Sequence, residues 1–332
     1  MRLDAQDAGA IAAAVQALQA GELVGFPTET VYGLGADAAS DAAVAKIFAA
    51  KGRPSDHPLI VHVPDTAAAL AFAADVPPFA RRLMDAFWPG PLTVILPRRS
   101  GLAAAAAGGQ DSVGLRCPSH PACLALLRAC VAAQPPVLGV AGPSANRFGR
   151  VSPTTAAHVQ AEFGDALLVL DGGPCDVGIE SAIVDCTRAR PVLLRPGVLT
   201  RAQLAAACGQ AVLLPGEAGQ DAPRASGTLE AHYAPRARVR LMDAKALQTA
   251  LDVLGPQASR IGVWSRATLR AGAGGVLRRN MPDEPVEAAR LLFAVLRDFD
   301  DQGVQLIWVE APPPDPAWDG VRDRLQRAAA AG

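Results

Sequence analysis

Short apolar runs bounded by Gly or Pro alternate with stretches of helical period along the chain. The runs GELVGF (21–26), PLIVHV (58–63), PLTVILP (91–97), SVGLRCP (112–118) and VLGVAG (137–142) predict buried strands. ALLVLDGG, SAIVDCT and PVLLRPG predict three more, and their hairpin-length links imply some antiparallel pairing. Between them the pattern predicts helices. The first is an amphipathic N-terminal helix ended by Gly21. The next spans 40–52, with Ser40 or Asp41 as N-cap and Gly52 as stop. Others cover 77–90, 119–134, and 152–164 with Ser152 as N-cap and Pro153 at N1. LAAAAAGGQD (102–111) reads as a short helix or as a loop. One more helix, LTRAQLAAACG, covers 199–209.

Residues 213–237 are rich in Gly, Pro and small side chains and read as a linker or flap. A second α/β rhythm follows: the strand RVRLMD, a helix, the strand RIGVWS, a helix, the strand VQLIWVE and a last helix to about Ala330. The expectation is a catalytic domain over 1–205, a linker over 206–236 that folds across the active site, and a smaller Rossmann-like α/β domain over 237–332. GAGG (272–275) lacks the strand–GxGxxG–helix setting of a nucleotide loop.

Composition narrows the function. At 332 residues, two domains are expected, each large enough for its own core. A net charge of −1 argues against a uniformly basic nucleic-acid wrapper. No run approaches about 18 apolar residues, so no membrane span is expected. The N-terminus has no charged segment of the signal-peptide kind. The six cysteines form no CxxC, and no His pair stands at zinc-ligand spacing, so buried reduced thiols are expected.

No Walker A, GxSxG or HExxH motif is present, which argues against a P-loop kinase or a serine hydrolase. Polar residues cluster instead just after the predicted strands, where α/β folds bind ligands. FPTETVYGLGADA (26–38) combines Thr28, Glu29, Thr30 and Tyr32 with Gly33 and Gly35. It reads as a turn-glycine connection, or as a loop whose backbone approaches a small polar ligand. Lys51 is one of three lysines in a chain with 28 arginines. Beside Arg53 it reads as a helix-end charge matched to the macrodipole, or as a point charge paired with a planar fork on polyphosphate. Ser144 and Asn146, followed by Arg147 and Arg150, form either a turn or a set of donors for phosphate or ribose oxygens.

Taken in order, PTETVYGLGAD, KGRPSDHPLIVHV, WPGPLT, VGLRCP, PSANRFGRVSPT, GIESAIVD and LLRPG resemble the YrdC-like threonylcarbamoyl-AMP synthases over about residues 8–200. HYAP and the second α/β domain resemble the long, two-domain form. The resemblance implies a twisted mixed sheet flanked by helices and a nucleotidyltransferase of tRNA modification. Its substrates would be L-threonine, bicarbonate or CO2, and ATP, with Mg2+ on the triphosphate. Its products would be L-threonylcarbamoyladenylate and pyrophosphate. A separate transferase complex would then use the adenylate on tRNA, with weak tRNA binding and a cytoplasmic setting.

Residue by residue, the resemblance implies a KxR…SxN catalytic set of Lys51, Arg53, Ser144 and Asn146. It implies threonine contacts from Thr30, His62, Arg116, Gly142 and Ser181. ATP contacts would come from Arg53, His57, Ser112, Ser144, Ser152, Arg195 and Tyr233. No acidic cluster identifies a metal ligand, and Glu29 is only a candidate for a water-mediated contact. Two other classes stand beside this reading. One is an RNA-binding module without chemistry, which near-neutral charge disfavours. The other is a carbamoyltransferase of the hydrogenase-maturation type, whose acylphosphatase and zinc-finger segments are not found here.

Overall fold

The computed structural model describes residues 1–219, 223–228, 231–254, 260–270 and 276–331. GAGG and parts of the expected linker (220–222 and 229–230) lie outside the described residues. The chain divides into two units. The first holds Met1–Phe148, Pro153–Asp176 and Glu180–Thr228, and the second holds Gly149–Ser152, Val177–Ile179 and Leu229–Gly332.

The first unit begins with β1 (Arg2–Asp4) and α1 (Ala10–Gln19). It continues through β2 (Val24–Phe26), β3 (Gly33–Asp37), α2 (Asp41–Lys51), β4 (Ile60–His62), α3 (Thr66–Phe72) and α4 (Pro78–Phe87). Next come β5 (Leu92–Pro97), β6 (Ser112–Arg116), α5 (Pro121–Ala132), β7 (Val140–Ala141) and α6 (Ala156–Phe163). It closes with β8 (Leu168–Asp171), β9 (Ala182–Asp185), β10 (Val192–Arg195) and α7 (Arg201–Cys208). The strands form one mixed sheet in the order β1-β8-β2-β3-β7-β4-β6-β5-β9-β10, with β9 and β10 antiparallel.

Local chemistry sets several boundaries. Ser40 Oγ accepts the Ala43 N–H at 3.2 Å and opens α2, a cap typically worth about 1 kcal/mol. Gly52 closes α2 in the left-handed region at φ 65°. Thr200 and Gln203 form a reciprocal capping box on α7. Two expectations need correction. Helix α6 starts at Ala156 behind a Thr155 cap, not at Ser152, because the Thr155 side chain takes the His158 N–H. The N-terminal segment is a strand followed by a helix, since Arg2–Asp4 pairs in parallel with β8. Of the two readings of 102–111, the structure takes the loop, with turns over 104–109.

One core cluster joins Val44 and Ile47 of α2 and Leu83 of α4 to Leu34, Val61, Val94 and Val184 of the sheet. A second joins Leu18 of α1 and Leu126 and Leu127 of α5 to Val24, Phe26 and Leu170. All six cysteines are buried and unpaired, and burial raises the Cys117 thiol to about 11.

The second unit contains β11 (Arg238–Met242), α8 (Ala244–Leu254), β12 (Ile261–Ser265), β13 (Leu277–Asn280), α9 (Pro285–Asp301), β14 (Leu306–Glu310) and α10 (Asp319–Ala330). Among the described residues its four strands are all parallel, in the order β11-β14-β12-β13. That is the helix-crossover architecture its sequence rhythm predicts, with β13 as an added strand.

Candidate active site

The site in the first unit starts from the register of three short strands. His62 at the end of β4 stands opposite Arg116 at the end of β6 and opposite Val140 of β7. The loops after β2 and β7, the segment before β9 and the end of β10 converge on the same place. Together they line a cavity that includes Thr28, Val31, Gly33, His62, Arg116, Gly142, Ser144, Glu180, Arg195 and Ser226.

Phe26 shapes the floor of this cavity. A Cβ at Gly33 would come within 2.5 Å of the Phe26 ring, and one at Gly142 within 2.6 Å of the same ring. These glycines therefore leave room for an aromatic side chain, which the loop sequence did not reveal. His62 sits edge-on to Phe26, with ring centroids 5.3 Å apart. Burial, and then the neighbouring Arg116, hold its imidazole down to about 3. The ring is thus neutral near pH 7, and its Nδ1 makes no well-formed hydrogen bond among the described residues.

Thr28 organises the loop after β2. Its Oγ1 donates to Val31 O at 2.6 Å and accepts the N–H groups of Thr30 and Val31 at 3.2 Å. Thr30 Oγ1 lies 2.9 Å from Thr28 Oγ1, inside the turn, while Thr28 itself faces the cavity. Tyr32 is committed elsewhere, its hydroxyl donating to Gly173 O at 2.7 Å. Glu29 is also committed. Its Oε1 lies 2.7 Å from an Arg116 nitrogen, and its Oε2 accepts the Ser119 N–H at 3.2 Å.

The KxR and SxN segments meet directly. The Lys51 side chain is buried, and its Nζ donates to Ser144 O at 2.7 Å and also to Asn146 O. The Phe148 N–H returns to Lys51 O at 2.9 Å. Burial, with Arg53 adding to it, pushes the Lys51 ammonium well below its usual value. Arg53 stands 5.8 Å over the Phe148 ring, and His57 sits edge-on to that ring at 5.6 Å. Burial and Arg53 also lower His57. Arg53 donates to Pro58 O at 3.0 Å and to Ser226 Oγ at 3.3 Å.

Arg195 ties the far wall together. Its Nε donates to Ser181 O at 3.1 Å, and an NH2 donates to Ser181 Oγ at 3.3 Å. Its NH1 donates to Ser226 O at 2.9 Å. Ser181 Oγ also pairs with Thr93 Oγ1 at 2.8 Å. Ser112 lines a smaller neighbouring cavity with Ile60, Thr93, Ile183 and Ser226. Ser226 lies in the expected 206–236 linker but was not itself singled out in the sequence. It is anchored by Arg224, which reaches Asp56 at 2.7 Å and exchanges backbone–side-chain bonds with Gln110.

Two of the expected ATP contacts belong to the second unit. Ser152 O accepts from Arg297 Nε at 3.4 Å. Tyr233 is buried, with its ring 5.4 Å from that of Phe293 and 5.4 Å from the Arg324 guanidinium.

A mixed α/β sheet with cations, hydroxyls and a neutral imidazole at its strand ends defines a site for small anionic ligands. Comparison with known proteins is specific. Residues 16–197 match the Sua5/YciO/YrdC family profile, described as telomere recombination. Residues 199–330 match the profile of the threonylcarbamoyl-AMP synthase C-terminal domain. The chain is 36% identical to the threonylcarbamoyl-AMP synthase of Pyrococcus abyssi, over 94% of this chain and 91% of that protein. It is 37% identical to the threonylcarbamoyl-AMP synthase of Bacillus subtilis, over 96% and 92%. The crystal structure of P. abyssi Sua5 complexed with L-threonine superposes with a TM-score of 0.85 at 35% identity, covering 97% of this chain and 94% of that one. The chain belongs to the threonylcarbamoyl-AMP synthase family.

Proposed function

We propose that the chain makes L-threonylcarbamoyladenylate and pyrophosphate from L-threonine, bicarbonate or CO2, and ATP. One observation carries this reading. His62, Arg116 and Gly142, three of the five expected threonine contacts, line the same cavity as Ser144 and Arg195, two of the seven expected ATP contacts. An amino acid and an α-phosphate bound there are close enough to react, which is the main source of rate in such a step.

Threonine's neutral amine adds to CO2 and gives up a proton to water, or condenses with bicarbonate and releases water, to form an N-carboxylate. That carboxylate attacks the α-phosphorus, and pyrophosphate leaves, so no protein nucleophile is needed. Arg116 takes the substrate carboxylate, and neutral His62 offers Nδ1 as an acceptor. Arg53, Ser144 and Arg195 stabilise charge on the phosphates. Thr30 and Ser181 act through the hydroxyl networks around Thr28 and Thr93. Lys51 and Asn146 hold the loop that carries Ser144. His57 and Ser112 complete the nucleotide contacts of the first unit.

Magnesium belongs to the substrate in this scheme. Among the described residues no group of three His, Cys, Asp or Glu could hold a metal, and Glu29 is already paired with Arg116. The ion would arrive on the triphosphate. A downstream transferase complex would use the adenylate on tRNA, with at most weak tRNA binding by this chain in a cytoplasmic setting. No helix among the described residues is long and apolar enough to cross a membrane.

The test is pyrophosphate release by the purified protein. Release should require ATP, threonine and bicarbonate together, and serine should support it more weakly. Release that ignores threonine would overturn the assignment.

A further inference from the structure

The mechanism leaves the buried acid Glu29 without a task. Glu29 is 5% exposed and does not line the cavity, yet it lies 2.7 Å from Arg116, itself 3% exposed. The turn that carries this acid and one of its oxygens are fixed. Thr28 locks the turn that carries Glu29, and the Ser119 N–H holds its second oxygen at 3.2 Å. Arg116 has few other restraints. Its NH2 is the nitrogen beside Glu29, its Nε makes no well-formed hydrogen bond among the described residues, and the residue also lines the cavity that holds His62. A long guanidinium with one edge against a fixed carboxylate has its remaining donors aimed by that contact.

We infer that Glu29 is a positioning residue for threonine recognition: its carboxylate braces Arg116 from behind, so that the free donors of the guanidinium meet the substrate carboxylate in the cavity. This rests on the reading that Arg116 takes that carboxylate. Two opposing effects can be separated. By charge alone, Glu29 weakens anion binding, because it partly neutralises Arg116. By orientation, it strengthens binding, because an unbraced guanidinium spreads over several rotamers. The brace requires the second effect to win.

The experiment compares Glu29→Gln, Glu29→Asp and Arg116→Lys in the pyrophosphate assay, with threonine and ATP varied separately. Glu29→Gln should raise the threonine KM by about 10- to 100-fold and leave the ATP KM within about twofold. Glu29→Asp keeps the charge on a shorter arm and should recover part of the loss. A threonine KM that falls or stays unchanged in Glu29→Gln overturns the brace. So does a threonine and an ATP KM that rise by the same factor, because a general loss of structure does that. Arg116→Lys tests the underlying reading independently. If it leaves the threonine KM unchanged, the carboxylate contact itself is wrong. If it raises that KM while Glu29→Gln does not, only the brace fails. Thermal midpoints of all three variants identify a protein that has simply unfolded, and calorimetric titration of threonine into any folded variant then decides by affinity.

Discussion

Lys51→Met isolates what the buried ammonium does. The substitution nearly preserves the side chain's length but removes both hydrogen bonds, to Ser144 O and Asn146 O. Hydrogen bonds from a charged donor contribute about 1.5–3 kcal/mol each, and removing them leaves two carbonyls short of a partner. The cost of keeping an ammonium 3% exposed offsets part of this. A net loss of about 2–4 kcal/mol is expected, which lowers the unfolding midpoint by roughly 5–15 °C in a unit of this size. The Ser144–Asn146 loop loses its strut at the same time. If that removes one phosphate contact in the transition state, turnover should fall by roughly 30- to 1000-fold. Thermal unfolding without nucleotide and pyrophosphate release kinetics measure the two effects separately. A variant that loses activity while its midpoint stays within about 1 °C of wild type would refute the strut. Lys51 would then act on substrate alone, the role that the sequence alone also allowed.

Two further perturbations probe the cavity. In Gly142→Ala, the new Cβ would stand 2.6 Å from the Phe26 ring and 3.3 Å from His62 Nδ1. Overpacking of this kind costs about 1–3 kcal/mol, and the threonine KM should rise more than the ATP KM; equal KM values in variant and wild type would mean that the cavity floor yields. For His62, the folded value of about 3 lies below its ordinary 6.5. The folded state therefore binds fewer protons, and the contribution of His62 is full above about pH 6.5 and shrinks as pH falls toward 3. Denaturant unfolding should find wild type losing stability relative to His62→Asn at about 1.4 kcal/mol per pH unit in that window. A gap that stays constant from about pH 7 to 4.5 would contradict a neutral buried imidazole.

What the sequence reveals about this protein depends on the range of the interaction. Helix α2 was readable at both ends because Ser40 and Gly52 act within one turn. The hydrophobic runs of β4, β5 and β6 were readable because strands buried on both faces need apolar side chains throughout. Strand β3 was not, since GLGAD carries little strand propensity and is held by pairing with β2 and β7. The start of α6 was misjudged because Ser152 and Thr155 are both good caps, and tertiary context chose Thr155. The residues of the site were readable as a family pattern, but their roles were not. The links from Lys51 to Ser144, from Glu29 to Arg116 and from Arg195 to Ser226 span 93, 87 and 31 positions respectively. No local spacing encodes such contacts. Gly33 shows the same limit: it reads as a turn glycine or as close backbone approach to a ligand, and the Phe26 ring that would meet a Cβ there is seven positions away.

The central claim is that one cavity joins threonine, a one-carbon unit and an adenylyl group. Incubation with ATP, threonine and labelled bicarbonate tests it most directly, by measuring label in the adenylate product against pyrophosphate released. The account predicts equal amounts, with neither formed when threonine is omitted. Pyrophosphate released without label in the adenylate would contradict it, because threonine would then be activated without carboxylation.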